Sequence, residues 1–222
     1  MSSRNKKILV IAHHFPPMGG PGTHRSLQFV KNLYQFGYLP VVLTITLDDI
    51  KKSPYPADES LLNIVPENLE IHRISTKIPE KFIKVTTKLK IFRLFWFFFY
   101  PLFWEQSALW PYNSIKKAKQ IIRENNIGII YTSSGPFSSL LLGYLLKKKC
   151  KVKWIADLRD PFTDGYMWQW PGKIQWYMSK LFERCMFKQV DKLIVNTNDV
   201  KQLYLKRNII SPEKITVITN GF

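Results

Sequence analysis

At 222 residues and 45% hydrophobic content, the chain has enough material for one large domain or two small ones with a real core, which excludes a disordered or fibrous polypeptide. Its 33 Lys and Arg against 16 Asp and Glu leave a charge of +17, which points to an anionic partner: nucleic acid, acidic lipid or a phosphorylated substrate. Cys150 and Cys185 stand far apart, outside any metal-ligand spacing, so no metal site is expected and a reduced, cytosolic setting is the simpler reading.

The basic N-terminus precedes an apolar run at residues 8–12 that is too short for a signal-peptide core, so secretion is not expected. That run reads instead as a strand covered on both faces. The loop His13-His14-Phe15-Pro16-Pro17-Met18-Gly19-Gly20-Pro21-Gly22 follows, then a helix starting near Thr23 with Leu27, Val30, Leu33 and Tyr34 at helical spacing. Glycines at a helix N-terminus let backbone amides approach an anion, and the helix dipole favours it; the plainer alternative is a turn.

Residues 40–46 read as a second strand, 48–66 as a surface loop with a helical turn at 61–64, and 69–74 as a third strand. Between Lys81 and Trp104 there is no carboxylate. Phe82, Val85, Leu89, Phe92 and Trp96 fall at helical spacing, with Lys81, Lys84 and Lys88 on another face. The apolar run 91–104 falls short of the roughly 20 residues of a spanning helix, and Arg93 and Pro101 interrupt it. It fits a helix lying in an anionic bilayer interface, through Lys81, Lys84, Lys88, Arg93, Trp96 and Trp104. A core helix with a heavy aromatic load is the alternative.

Beyond it, helices are expected at 111–126, 137–149, 168–190 and 198–207, and strands at 127–132, 152–156, 192–195 and 214–219. Strands alternating with helices indicate an α/β fold, a Rossmann-like doubly wound parallel sheet whose ligands gather at the carboxyl ends of strands. A dinucleotide fingerprint is only half present, because Gly20-Pro21-Gly22-Thr23-His24-Arg25 has Arg where a third glycine belongs. No acid closes the second strand, and no P-loop occurs.

Four stretches together carry a resemblance: residues 8–46 with Phe15-Pro16-Pro17 and Gly19-Gly20, the run Ser133-Ser134-Gly135-Pro136-Phe137-Ser138-Ser139, the run from Trp154 through Asp157-Leu158-Arg159-Asp160-Pro161 to Phe162, and the closing Asn220-Gly221-Phe222. In this order they resemble the N-terminal domain of a GT-B glycosyltransferase of the family 4-like, or group 1, retaining kind. The resemblance implies two Rossmann-like domains with the active site between them. The N-terminal one holds the acceptor, and the C-terminal one holds most of a nucleotide-sugar donor. Residues 1–222 would be a single acceptor-side domain with a basic aromatic helical insertion at about 78–110. The C-terminal nucleotide-sugar domain would be supplied in cis or as a separate chain, and little transfer is expected without it.

Carried onto this sequence, the resemblance puts Gly19, Gly20 and Gly22 against the donor diphosphate or sugar. Ser133 and Ser134 stand where many members have a donor-touching His, so the catalytic residue stays unassigned. His13, His14, Asp157, Arg159 and Asp160 become acceptor-side or structural, and Asn220 and Gly221 the start of a hinge. The expected function is sugar transfer from a nucleotide-diphosphate sugar to a lipid-linked or cell-envelope glycan, with no separate cofactor, on the cytoplasmic face of a membrane. A non-catalytic module binding membranes or polyanions is the alternative. Nucleic acid is the weaker partner, because the aromatics cluster in one block and no nucleic-acid motif is present.

Overall fold

The computed structural model describes residues 6–77, 107–165, 170 and 172–220. The sequence expectations for Lys81, Lys84, Lys88, Arg93, Trp96, Trp104 and Gly221 lie outside them. Among the described residues, seven strands form one sheet: β1 Lys7–Ala12, β2 Leu39–Ile45, β3 Glu70–Ile74, β4 Ile129–Ser133, β5 Lys153–Leu158, β6 Lys192–Val195 and β7 Ile215–Val217. Their order is β3-β2-β1-β4-β5-β6-β7, and every pairing is parallel.

Helix α1, Pro21–Gln35, returns the chain to β2. Helices α2 (Leu47–Lys51), α3 (Trp110–Glu124), α4 (Ser138–Lys149), α5 (Lys173–Phe187) and α6 (Asn198–Lys206) follow. Strand β1 shows why two faces are covered. Leu9 and Ile11 point into a cluster with Trp110 and Ala118 of α3, Leu140 of α4 and Met186 of α5, whereas Ile8, Val10 and Ala12 join Leu27 and Val30 of α1. Side chains alternating across a strand therefore serve two helix layers at once. Burying Leu27 and Val30 stabilises the docking of α1 by about 1.5–3 kcal/mol each.

Several boundaries differ from the sequence reading. Helix α1 begins at Pro21, ahead of Thr23, because proline lacks the amide that a first helical turn leaves unpaired anyway. A short helix, α2, stands inside what reads as loop. Thr46 caps it by accepting from the Asp49 amide at 3.3 Å, a local signal that the five-residue length hides. Helix α5 covers 173–187 of the expected 168–190. Strand β7 stops at Val217, after which the Ile218 and Thr219 carbonyls accept from Arg25. Thr197 caps α6 through the Val200 amide, as the sequence suggests.

Strand order reverses between β1 and β4, whose neighbours across the step are Ala12 and Ser133, and Ser133 in turn sits beside Asp157 of β5. The connection after β1 goes to one face of the sheet and that after β4 to the other. A crevice at the carboxyl ends of β1, β4 and β5 follows from the topology.

Candidate functional site: the carboxyl edge of β1, β4 and β5

Arg159, just past β5, bends back across this edge. Its Nε donates to the Ser134 carbonyl at 2.6 Å and its Nη2 to the Gly135 carbonyl at 2.9 Å, while its own amide donates to the Ser134 hydroxyl at 2.9 Å. Burial lowers its pKa, against the pull of Asp157 and Asp160, yet a guanidinium stays charged. Among the described residues its hydrogen-bond partners are neutral carbonyls. A largely buried cation without a hydrogen-bonded carboxylate is an anion's natural neighbour.

What Arg159 faces is the start of α1. A Cβ on Gly22 would lie 2.6 Å from His14 Nδ1 and closer still to Arg159 Nη1, and one on Gly135, whose φ is +84°, would overlap Nη2. Only glycine at both positions lets the guanidinium fill the gap between the two loops. Positive charge, the first-turn amides of α1 and the helix dipole thus converge on one spot.

The three loop glycines are not equivalent. The Gly19 amide donates to the Pro56 carbonyl at 2.9 Å, and a Cβ there would lie 2.7 Å from that oxygen. The β2–β3 connection thus folds over the loop and occupies the Gly19 amide. Gly20, at φ +96°, is covered on one side by the Tyr55 ring. Of the three loop glycines, Gly22 is the one that lies against the Arg159 guanidinium.

Asp157 is not paired with Arg159. Its fully buried carboxylate takes two 2.7 Å bonds from Arg25, through Nε and Nη2, and one from the Tyr131 hydroxyl at 2.5 Å. Burial opposes the charge on Arg25, but the hydrogen bonds and charge of Asp157 prevail and raise its pKa. Burial first, and then Asp157, drive the Tyr131 phenol well above its usual range. Arg25 Nη1 continues to the Thr219 carbonyl and to Asn220 Oδ1, at 3.2 and 3.1 Å. The sequence reading missed Arg25 and marked it only as a fault in the dinucleotide fingerprint. Its partners lie more than 130 positions away, and no spacing signals them.

Ser134 spends its hydroxyl on Arg159, Ser133 is buried at the end of β4, and Asp160 is exposed. His13 packs edge-on to Trp110 and His14, and among the described residues neither of its ring nitrogens has a hydrogen-bond partner. Burial, then His14, lowers its pKa to about 3 against the pull of Asp49. Burial, then Arg159, lowers that of His14 to about 4. Both rings are neutral at pH 7.

The unfolded chain protonates these rings near pH 6.5 and the folded chain does so only near 4 and 3, so stability is lost as pH falls through that window. A His13→Gln/His14→Gln variant is expected to lose stability less steeply between pH 6.5 and 4.5. The slope should be shallower by up to about 1.4 kcal/mol per pH unit for each histidine, read from urea midpoints. Glu183, raised by burial, titrates in the opposite sense and is common to both proteins.

No group of His, Cys, Asp and Glu among the described residues could hold a metal ion, and no helix among them is long and apolar enough to cross a membrane. The sequence profile of Glycosyltransferase Family 4 matches residues 71–222. Among curated proteins no sequence matches significantly. Solved structures similar in fold include sucrose-phosphate synthase from Thermosynechococcus elongatus, with a TM-score of 0.57 at 16% identity over 97% of this chain and 48% of that one. UDP-GlcNAc 2-epimerase from Methanocaldococcus jannaschii matches at 0.55 and 14%, over 96% and 45%, and the S. aureus MnaA structure with UDP at 0.53 and 15%, over 96% and 44%. The chain spans about half the length of these structures. At such identities the likeness speaks for the fold: a Rossmann-like sheet of the kind that forms the N-terminal half of GT-B proteins.

Proposed function

The chain belongs to glycosyltransferase family 4, and from that membership we propose that it is the acceptor-side domain of an enzyme transferring a sugar from a nucleoside-diphosphate donor to a glycan or lipid-linked acceptor. The observation that carries this reading is the Arg159 guanidinium wedged between Gly22 and Gly135 and turned to the first turn of α1. Negative charge grows on the departing nucleoside diphosphate when the bond to the anomeric carbon breaks and its electron pair leaves with the phosphate oxygen. Donors fixed beforehand by the fold stabilise that charge without reorganising. Gly20 and Gly22 would supply amides and Arg159 a cation, with His14 beside them. Ser133 and Ser134 would lie toward the donor sugar, His13 and Asp160 would belong to the acceptor side, and Asn220 with Gly221 would begin a hinge.

A second Rossmann-like lobe, in cis or as another chain, would hold the nucleotide and close the cleft. The solved structures of similar fold are about twice as long as this chain, which supports that arrangement. Retention of the anomeric configuration and an acceptor in the cell envelope belong to the same proposal. So does a peripheral place on the cytoplasmic membrane face, supported by the basic aromatic sequence that includes Lys81, Lys84, Lys88, Arg93, Trp96 and Trp104.

UDP-, GDP- and CDP-sugars titrated into the protein are expected to move backbone NMR signals of Gly20, Gly22, Arg159 and their neighbours with at least one of these nucleotides. Shifts confined to the lysine-rich 147–153 stretch would instead indicate general polyanion binding and overturn the donor-site reading.

A further inference from the structure

Helix α5 is inside out. Gln175, Ser179 and Glu183 face the interior of the domain, while Ile174, Tyr177, Met178 and Leu181 are 56%, 59%, 40% and 44% exposed. The exposed four fall at positions i, i+3, i+4 and i+7, one continuous stripe, with exposed Cys185 extending it by a turn. The polar inner face is engaged within the domain, where Glu183 accepts from Tyr204, Thr163 and Arg207 and so fixes the loop after β5. The outer stripe has no such partner among the described residues. Single exposed apolar residues are ordinary, but an aligned row of four on one helix marks a contact surface.

The exposed charges that α5 itself carries beside the stripe are all basic, with Asp164 of the loop after β5 reaching Lys180 at 4.0 Å and accepting from Trp176 Nε1 at 3.2 Å at one edge. Lys173, Lys180, Arg184 and Lys188 form a second row along the same helix, and its single acid, Glu183, is buried. Lys180 lies 3.6 Å over the Trp176 ring, which keeps an aromatic and a cation side by side at the rim. The row leads on to α4 through the Phe182–Tyr144 contact. There Lys148 sits over Tyr144, and Lys149, Lys151 and Lys153 are exposed. A second copy of a chain carrying +17 would be repelled from such a face, whereas an anionic bilayer supplies both an apolar interior and negative head groups.

We propose that the outward face of α5 docks on an anionic lipid surface, with Ile174, Tyr177, Met178 and Leu181 in the acyl boundary and Lys173, Lys180, Arg184 and Lys188 at the head groups. This contact stands independently of residues 78–106 and of the sugar-transfer reading. The full chain is expected to float with vesicles of 70% phosphatidylcholine and 30% phosphatidylglycerol, and not with pure phosphatidylcholine. A Tyr177→Glu/Leu181→Glu variant should partition at least tenfold more weakly, with its circular dichroism unchanged. An environment-sensitive fluorophore on Cys185 of a Cys150→Ser protein should shift to the blue on the anionic vesicles. The proposal is overturned if that double variant floats within twofold of the parent, or if only a Lys81→Glu/Lys84→Glu/Lys88→Glu variant loses binding. It is equally overturned if light scattering shows the double variant dissociating a dimer, since that would make a second copy the occupant.

Discussion

Asp157→Ala is expected to cost about 3–5 kcal/mol of unfolding free energy, more than any other single substitution at this edge, measured as a fall in the urea midpoint at pH 7.5. The carboxylate is fully buried, and Arg25, whose side chain is only 12% exposed, would be left with its charge uncompensated. The Tyr131 hydroxyl, also buried, would lose its acceptor. Adding Arg25→Met to Asp157→Ala should recover a substantial part of the loss, because an apolar pair replaces an orphaned cation. If the double variant is as unstable as the sum of the two singles, the carboxylate and the guanidinium do not act as one unit.

The second large effect is on ligand binding. Arg159→Met is expected to weaken binding of a free nucleoside diphosphate by one to two orders of magnitude, on the basis of about 1.5–3 kcal/mol for a charge-assisted hydrogen bond. Met keeps the apolar stem and loses the donors to the Ser134 and Gly135 carbonyls, so the thermal midpoint must be recorded alongside the titration. Arg159→Lys separates the two roles: charge survives, while the planar fork that spans both loops does not. Unchanged affinity in a folded Arg159→Met protein would leave the first turn of α1 without its cation and remove the main support for a diphosphate at this place.

The sheet was legible because its signal is local. Residues 8–12 and 193–195 are continuous apolar runs and 41–45 is one broken only by Thr44, each flanked by helical periodicity, which suits a strand buried on both faces, and the topology follows from their alternation with helices. The glycine loop was legible for the same reason, as glycines after a strand and before a helix. What each glycine does was not. The covering of Gly19 by Pro56 comes from a connection some 37 positions later, which the sequence marks only as polar loop. The assignment of Asp157 was open for a similar reason. Asp157-Leu158-Arg159 offers a nearby arginine, and the structure instead brings Arg25 across from α1, leaving Arg159 to the neutral carbonyls of β4's loop. Helix α5 is expected from the sequence only as a long helix over 168–190. Periodicity finds a stripe without saying which way it points, and the inner side went to Glu183 and its partners.

One guanidinium serves two neighbours that belong to different parts of the backbone. Arg25 grips Asp157 through Nε and Nη2, while Nη2 also donates to the Ile218 carbonyl and Nη1 to the Thr219 carbonyl and Asn220 Oδ1. A side chain that rigid works as a yoke: a swing of the polypeptide at residues 218–220 greater than the slack of a hydrogen bond must either uncouple there or turn Arg25 on its carboxylate. Arg25 is rooted one helical turn from Gly22, so the second course transmits leverage to the same turn that offers its amides.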